Sequence, residues 1–152
     1  MYKQMQKIIF FLFIFSILTE YTYSKDEYFR TLRNEKTNLR QGPSFDHPIK
    51  IFYKKKYLPV IVQDTSDNFR KITDHEKNSG WVHISQLSKK KAAIVMSDDL
   101  IMFKSATIYS NPIVILKKGR LIKIDKCKNE WCKIRTGNFK GWVKNLNLWG
   151  LF

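Results

Sequence analysis

The sequence predicts an all-β protein made of two small barrels in tandem behind an N-terminal export signal. Three observations predict it: an apolar leader, short β-branched and aromatic runs parted by turn residues, and a Gly-Trp-Val triplet that occurs twice.

The leader comes first in the chain. Lys3 and Lys7 open it without an acid, residues 8–18 read IIFFLFIFSIL, and Thr22 and Ser24 place small residues where a signal peptidase reads. Cleavage is expected after Ser24, making residues 1–24 a signal peptide. Retention as an anchor is the other reading, favoured by Tyr21 and Tyr23 beside the cut, but the apolar run falls short of the roughly 20 residues a spanning helix needs. No Cys follows the run, so a lipid has no attachment point.

Charge and length limit what remains. A chain of 152 residues holds one ordinary domain or two very small ones, and 14% aromatic residues favour strands over helices. Without residues 1–24 the chain keeps 26 basic and 12 acidic residues, since Lys3, Lys7 and Glu20 leave with the signal, so its balance is still +14. Such a surface attracts polyanions: nucleic acid, an anionic membrane or an envelope polymer. Export places the protein in the periplasm or outside the cell, which removes nucleic acid as a partner and makes membrane contact a transient of export.

The strands follow in order. The polar stretch KDEYFRTLRNEKTN is open between a short helix and a lead-in strand. From Thr37 the pattern is regular: TNLR, a turn at Gln41-Gly42-Pro43-Ser44, then IKIFY, LPVIV, FRKI and GWVHI, separated by Gly, Pro, Asn, Asp or Ser. Alternation turns Leu39, Val60, Ile72 and Val82 inward and Arg40 outward. The same grammar returns in RLIKI, WCKI and GWVK. Gly80-Trp81-Val82 and Gly141-Trp142-Val143 lie 142 − 81 = 61 residues apart, the length of one small barrel, which divides the chain into modules at 25–89 and 90–152.

Cys127 and Cys132 are the only cysteines, and they flank the turn-like Lys128-Asn129-Glu130 between two alternating segments. Outside the cytosol this predicts a disulfide across a hairpin near its closed end. A zinc site wants four ligands, and His47, His75 and His83 have no paired spacing; a thioredoxin-like pair wants two intervening residues. No metal and no cofactor is expected.

The strings Asn38-Leu39-Arg40-Gln41-Gly42-Pro43-Ser44, Leu58-Pro59-Val60, Phe69-Arg70-Lys71-Ile72 and Gly80-Trp81-Val82-His83 together resemble the bacterial SH3 domain. With Trp131-Cys132, Gly141-Trp142-Val143 and Leu148-Trp149-Gly150, the chain is similar to exported proteobacterial proteins that carry two SH3-like modules. The second module departs from the pattern, with Ala106 to Pro112 where the opening motif is expected. The resemblance implies recognition of peptidoglycan or an envelope protein through a groove near the first loop, residues 41–50. An adaptor for a protein partner, an envelope enzyme or a host protein, is the alternative. Arg40, Tyr53, Trp81, Trp142 and Trp149 are the candidate ligand-binding residues, each Trp also readable as core or as a cover for one barrel end. Trp131 is expected against the disulfide. Lys54-Lys55-Lys56 and Lys89-Lys90-Lys91 read as solvated charge or polyanion contacts, the second also as a linker between modules.

Catalysis is not expected. Asp46-His47 and Asp74-His75-Glu76 set acids beside His, but strand neighbours point to opposite faces. No nucleophile elbow or phosphate-binding glycine loop is present in the sequence, and the disulfide consumes both thiols.

Overall fold

The structure, a computed structural model, describes residues 26–151; the expected export signal lies outside them. The open stretch after the leader is a strand, β1 (Tyr28–Leu32), followed by β2 (Thr37–Arg40), β3 (Ile49–Tyr53), β4 (Pro59–Ser66), β5 (Phe69–Thr73), β6 (Ser79–His83), a 3-10 turn at Ile84–Gln86 and β7 (Leu87–Ser88). The second set is β8 (Ala92–Val95), β9 (Leu100–Phe103), β10 (Pro112–Leu116), β11 (Leu121–Lys128), β12 (Trp131–Thr136), β13 (Phe139–Lys144) and β14 (Leu148–Trp149). The strand orders are β3-β2-β6-β5-β4-β1-β7 and β10-β9-β13-β12-β11-β8-β14. Adding seven to each label of the first order gives the second, so the chain is two copies of one SH3-like barrel.

The copies share their irregularities too. Each longest strand, β4 and β11, has eight residues and a register shift against its partner, between Val62 and Asp64 in one and Ile124 and Lys126 in the other. An extra residue there bends the strand and lets a small sheet curl around its core. Beyond the bend each hairpin closes through a residue at positive φ, Asp67 (43°) and Asn129 (52°), types that tolerate the left-handed region.

Leu39, Val60, Ile72 and Val82 are fully buried, as the alternation predicts, and Met102, Ile122, Ile134 and Val143 fill the second barrel. Each such side chain is worth about 1.5–3 kcal/mol against exposure. The glycines of the repeated triplets serve close packing. A Cβ on Gly80 would stand 2.6 Å from the Arg40 carbonyl oxygen, and one on Gly141 2.6 Å from that of Phe103. This contact also corrects the alignment of the second module. β9 lies beside β13 as β2 lies beside β6, so the counterpart of Asn38-Leu39-Arg40 is Ile101-Met102-Phe103 and not the stretch from Ala106 to Pro112.

The two barrels touch along a seam. Residues 89–91 join β7 to β8, and their main chain is held on both sides: Thr31 Oγ1 donates to the Lys90 carbonyl at 2.8 Å and the Ile124 amide to that of Lys91 at 3.0 Å. Ile94 of β8 packs into the first core, with Leu121 of β11 half-buried against it.

Candidate ligand-binding surface

The loop after β2, residues 41–48, is held rigid by its own groups. Arg40 Nη1 donates to the carbonyls of Phe45 (2.9 Å) and His47 (2.8 Å), and the Gln41 amide donates to the Pro48 carbonyl at 3.0 Å. Ser44 Oγ meets His47 Nδ1 at 2.9 Å and accepts from the Asp46 amide. Gly42 is required because a Cβ would sit 2.2 Å from the His47 ring. Its φ is not positive, so contact rather than backbone freedom fixes the residue.

This rigidity presents Phe45. Its ring is 63% exposed, yet it rests on Phe69 and His83, with centroids 5.2 Å away in each case. The Arg40 guanidinium lies 5.5 Å from the same ring. Trp81 stands directly opposite Arg40 across β2 and β6, and opposite Lys71 across β5 and β6, so all three share the barrel's outer face. Arg40, Phe45, Trp81 and His83 therefore form a shelf of aromatic and cationic groups beside a preset loop. Aromatic faces suit sugar rings and apolar side chains; guanidinium suits carboxylate.

The five predicted residues are not gathered in one place. Arg40 and Trp81 stand on the shelf. Tyr53 is interior, its hydroxyl donating to Asp74 Oδ2 at 2.9 Å. Burial first, then that hydrogen bond, push its phenol far above the ordinary 10.0. Asp74 is itself buried and accepts from the Glu76 and Asn78 amides and from Asn78 Nδ2, each at 2.9 Å. It ties the loop between β5 and β6 and leaves His75 to face another ring.

That ring is Trp149, 4.9 Å from Phe29 and 5.8 Å from His75 by centroid. Trp149 thus fills the seam between barrels and is no free anchor.

Trp142 occupies in the second barrel the place Trp81 has in the first, with Lys126 and Lys133 Nζ each 5.8 Å from its ring. Phe103 replaces Arg40, and Trp131 sets its ring edge-on against Phe103 at 5.7 Å. The following loop is closed by hydroxyls: Ser110 Oγ accepts from the Ser105 amide and Thr107 Oγ1 from the Tyr109 amide. The second shelf has lost its guanidinium and gained one lysine, Lys126, where the first barrel has Asp64; Lys133 is the counterpart of Lys71. The disulfide itself joins Cys127 and Cys132, directly opposed in the β11–β12 hairpin, with Cys132 fully buried.

Sequence reasoning missed Phe45, Phe69 and His83. Only His83 left a sequence signal: Trp81 and His83 are two apart on a strand and must share a face.

A family model, described as the bacterial SH3 domain, matches residues 33–89 and again residues 97–150. No curated protein matches the sequence. Among the solved structures that align with it are NlpC1 from Trichomonas vaginalis, 10% identical over 87% of this chain and 49% of its own, and NlpC2 from the same organism, 9% identical over 84% and 49%, each with a TM-score of 0.36. The chain spans about half the length of those structures.

Proposed function

This chain belongs to the bacterial SH3 domain family, and from that premise we propose that it is a non-catalytic binding module of the cell envelope that recognises peptidoglycan. In this reading residues 1–24 are a cleaved signal, the modules are 25–89 and 90–152, and the protein works in the periplasm or outside the cell. The disulfide agrees with an oxidising compartment.

One observation carries the proposal: Arg40 and Trp81 stand opposite each other beside a loop that Arg40 itself holds in shape. A stem peptide or glycan offers carboxylates to the guanidinium and ring or apolar faces to Trp81 and Phe45. No loop ordering is needed on binding, which lowers its entropic cost. Trp142, between two lysines, is a weaker second contact.

The test is co-sedimentation of the purified protein with sacculi. Shelf recognition survives salt above a few hundred millimolar, where screening falls to about 5 Å or less, and Trp81→Ala weakens it by about tenfold. Pelleting that disappears with salt and ignores Trp81→Ala would rule the shelf out.

A second reading, an adaptor for an envelope protein, draws on the second barrel. Ile101, Ile113 and Ile115 are exposed on β9 and β10, and Tyr109 is 91% exposed in the loop between them.

A further inference from the structure

A cavity of about 510 Å³ opens along the seam between the barrels, walled by β1 from Tyr28 to Thr31, by residues 89–92, and by Asn129 and Asn145 of the second barrel. A second hollow, about 540 Å³, continues it over the first barrel to Arg33 and Arg70, and the two share Tyr28, Arg30 and Lys89 as a common wall. Together they make one trough.

Its charge is of one sign. Arg30, Arg33, Arg70, Lys89, Lys90 and Lys91 line it, and no Asp or Glu does. Among the described residues none of these six cations is in an ion pair. The guanidiniums are instead held by main-chain carbonyls. Arg30 Nη1 donates to Phe29 O at 2.9 Å, Arg33 Nε and Nη2 to Leu87 O, and Arg70 Nη1 to Asp67 O and Phe69 O. Each arginine keeps further N–H groups for a ligand. The lysines stand exposed on the linker whose carbonyls are pinned to both barrels, so their backbone is fixed; Lys90 Nζ lies 5.6 Å from the Tyr57 ring, and none of the three ammonium groups meets a carboxylate among the described residues.

Like charges crowded into a concavity repel one another, and an anion laid along it relieves that repulsion where field lines are focused. The shape favours a chain over a point ion, because two hollows lie end to end. It does not favour a single-stranded nucleic acid, whose bases stack on open aromatic faces. Tyr28 is the ring at the joint, and the Arg30 guanidinium already covers it at 4.4 Å. Its neutral side chains include the amides of Asn129 and Asn145, with Asn145 Nδ2 engaged on Asn129 O. The Asn129 amide and the Asn145 amide oxygen, set beside cations, suit hydroxyls beside carboxylates.

We infer that the seam trough is a second binding site, separate from the Arg40–Trp81 shelf, and that it takes a linear carboxylate-bearing polysaccharide.

The test is titration of fluorescent polygalacturonate into the purified, disulfide-intact protein at 0.15 M salt. Dextran, polyglutamate and a thirty-base oligothymidylate run as parallel probes. Replacing Lys89, Lys90 and Lys91 together with Gln weakens polygalacturonate binding at least tenfold. Replacing Lys54, Lys55 and Lys118 with Gln removes the same charge outside the trough and changes it less than threefold. Near-UV circular dichroism unchanged in both variants shows that the exposed lysines were not needed for folding. Equal loss in the two triple variants, or tighter binding of polyglutamate or oligothymidylate than of polygalacturonate, overturns the inference. Trp81→Ala leaves this titration unaltered, so a failure of the peptidoglycan proposal and a failure of this one are read separately.

Discussion

Trp149, in the last strand of the second barrel, sets its ring edge-on against Phe29 in the first strand of the first, with centroids 4.9 Å apart and planes at 81°. The contact fastens the last strand to the first across the seam, and Gly150 follows with so little room that a Cβ would lie 2.5 Å from the Ala92 carbonyl oxygen. Trp149→Ala should lower the unfolding free energy by about 1–3 kcal/mol, less than a fully buried aromatic, because the ring is half-buried and its edge contact adds only part of a kcal/mol or so. Urea denaturation measures the loss, and small-angle scattering should show the barrels less closely apposed.

Tyr53 predicts an alkaline limb. Its phenol ionises far more reluctantly in the fold than at the ordinary 10.0, so its contribution to stability is fully present below pH 10 and is lost above it, as the unfolded chain ionises first. The slope from this group is about 1.4 kcal/mol per pH unit. Tyr53→Phe should lower stability at pH 7 by about 1–2 kcal/mol, since Asp74 loses a donor, while flattening the decline between pH 10 and 11. Parallel declines in the two proteins would show that Tyr53 is not the group responsible.

Gly80→Ala and Gly141→Ala should each destabilise by about 2 kcal/mol or more. The added methyl meets a main-chain carbonyl at 2.6 Å in both barrels, and backbone gives way less readily than a side chain. Chemical denaturation midpoints report it, and a fall under 0.5 kcal/mol would mean that β2 and β9 can retreat.

Reduction of the disulfide should cost about 2 kcal/mol by the chain-entropy model, because the cysteines are only five residues apart and the loop they close is small. The β11–β12 hairpin amides should exchange hydrogen faster, while amides around Val60 and Ile72 keep their protection. Unfolding of the whole chain on reduction would show the bridge to be indispensable.

Much of this architecture was legible because period and spacing speak directly. Leu39, Val60, Ile72 and Val82 alternate with polar neighbours, and the two Gly-Trp-Val triplets sit at one barrel's distance. The cysteines announced their hairpin by flanking a turn. Strand β8 was silent for a physical reason: Ala92 to Val95 is buried throughout, pressed between the barrels, so it shows no alternation to read. Tyr53 looked available because a phenol is amphipathic, and only the fold shows that Asp74 draws it inside. The shelf was half legible. Arg40 and Trp81 follow from strand parity, whereas Phe45 reaches it through a loop whose path depends on two carbonyls meeting one guanidinium.

Ile94 belongs by sequence to the second barrel and by packing to the first core. On a chain that emerges N-terminus first from a ribosome, the leading barrel therefore stays incomplete until the opening strand of its successor has cleared the exit. Maturation is coupled along the polypeptide, and a fragment severed after residue 89 carries a hole where that isoleucine should be.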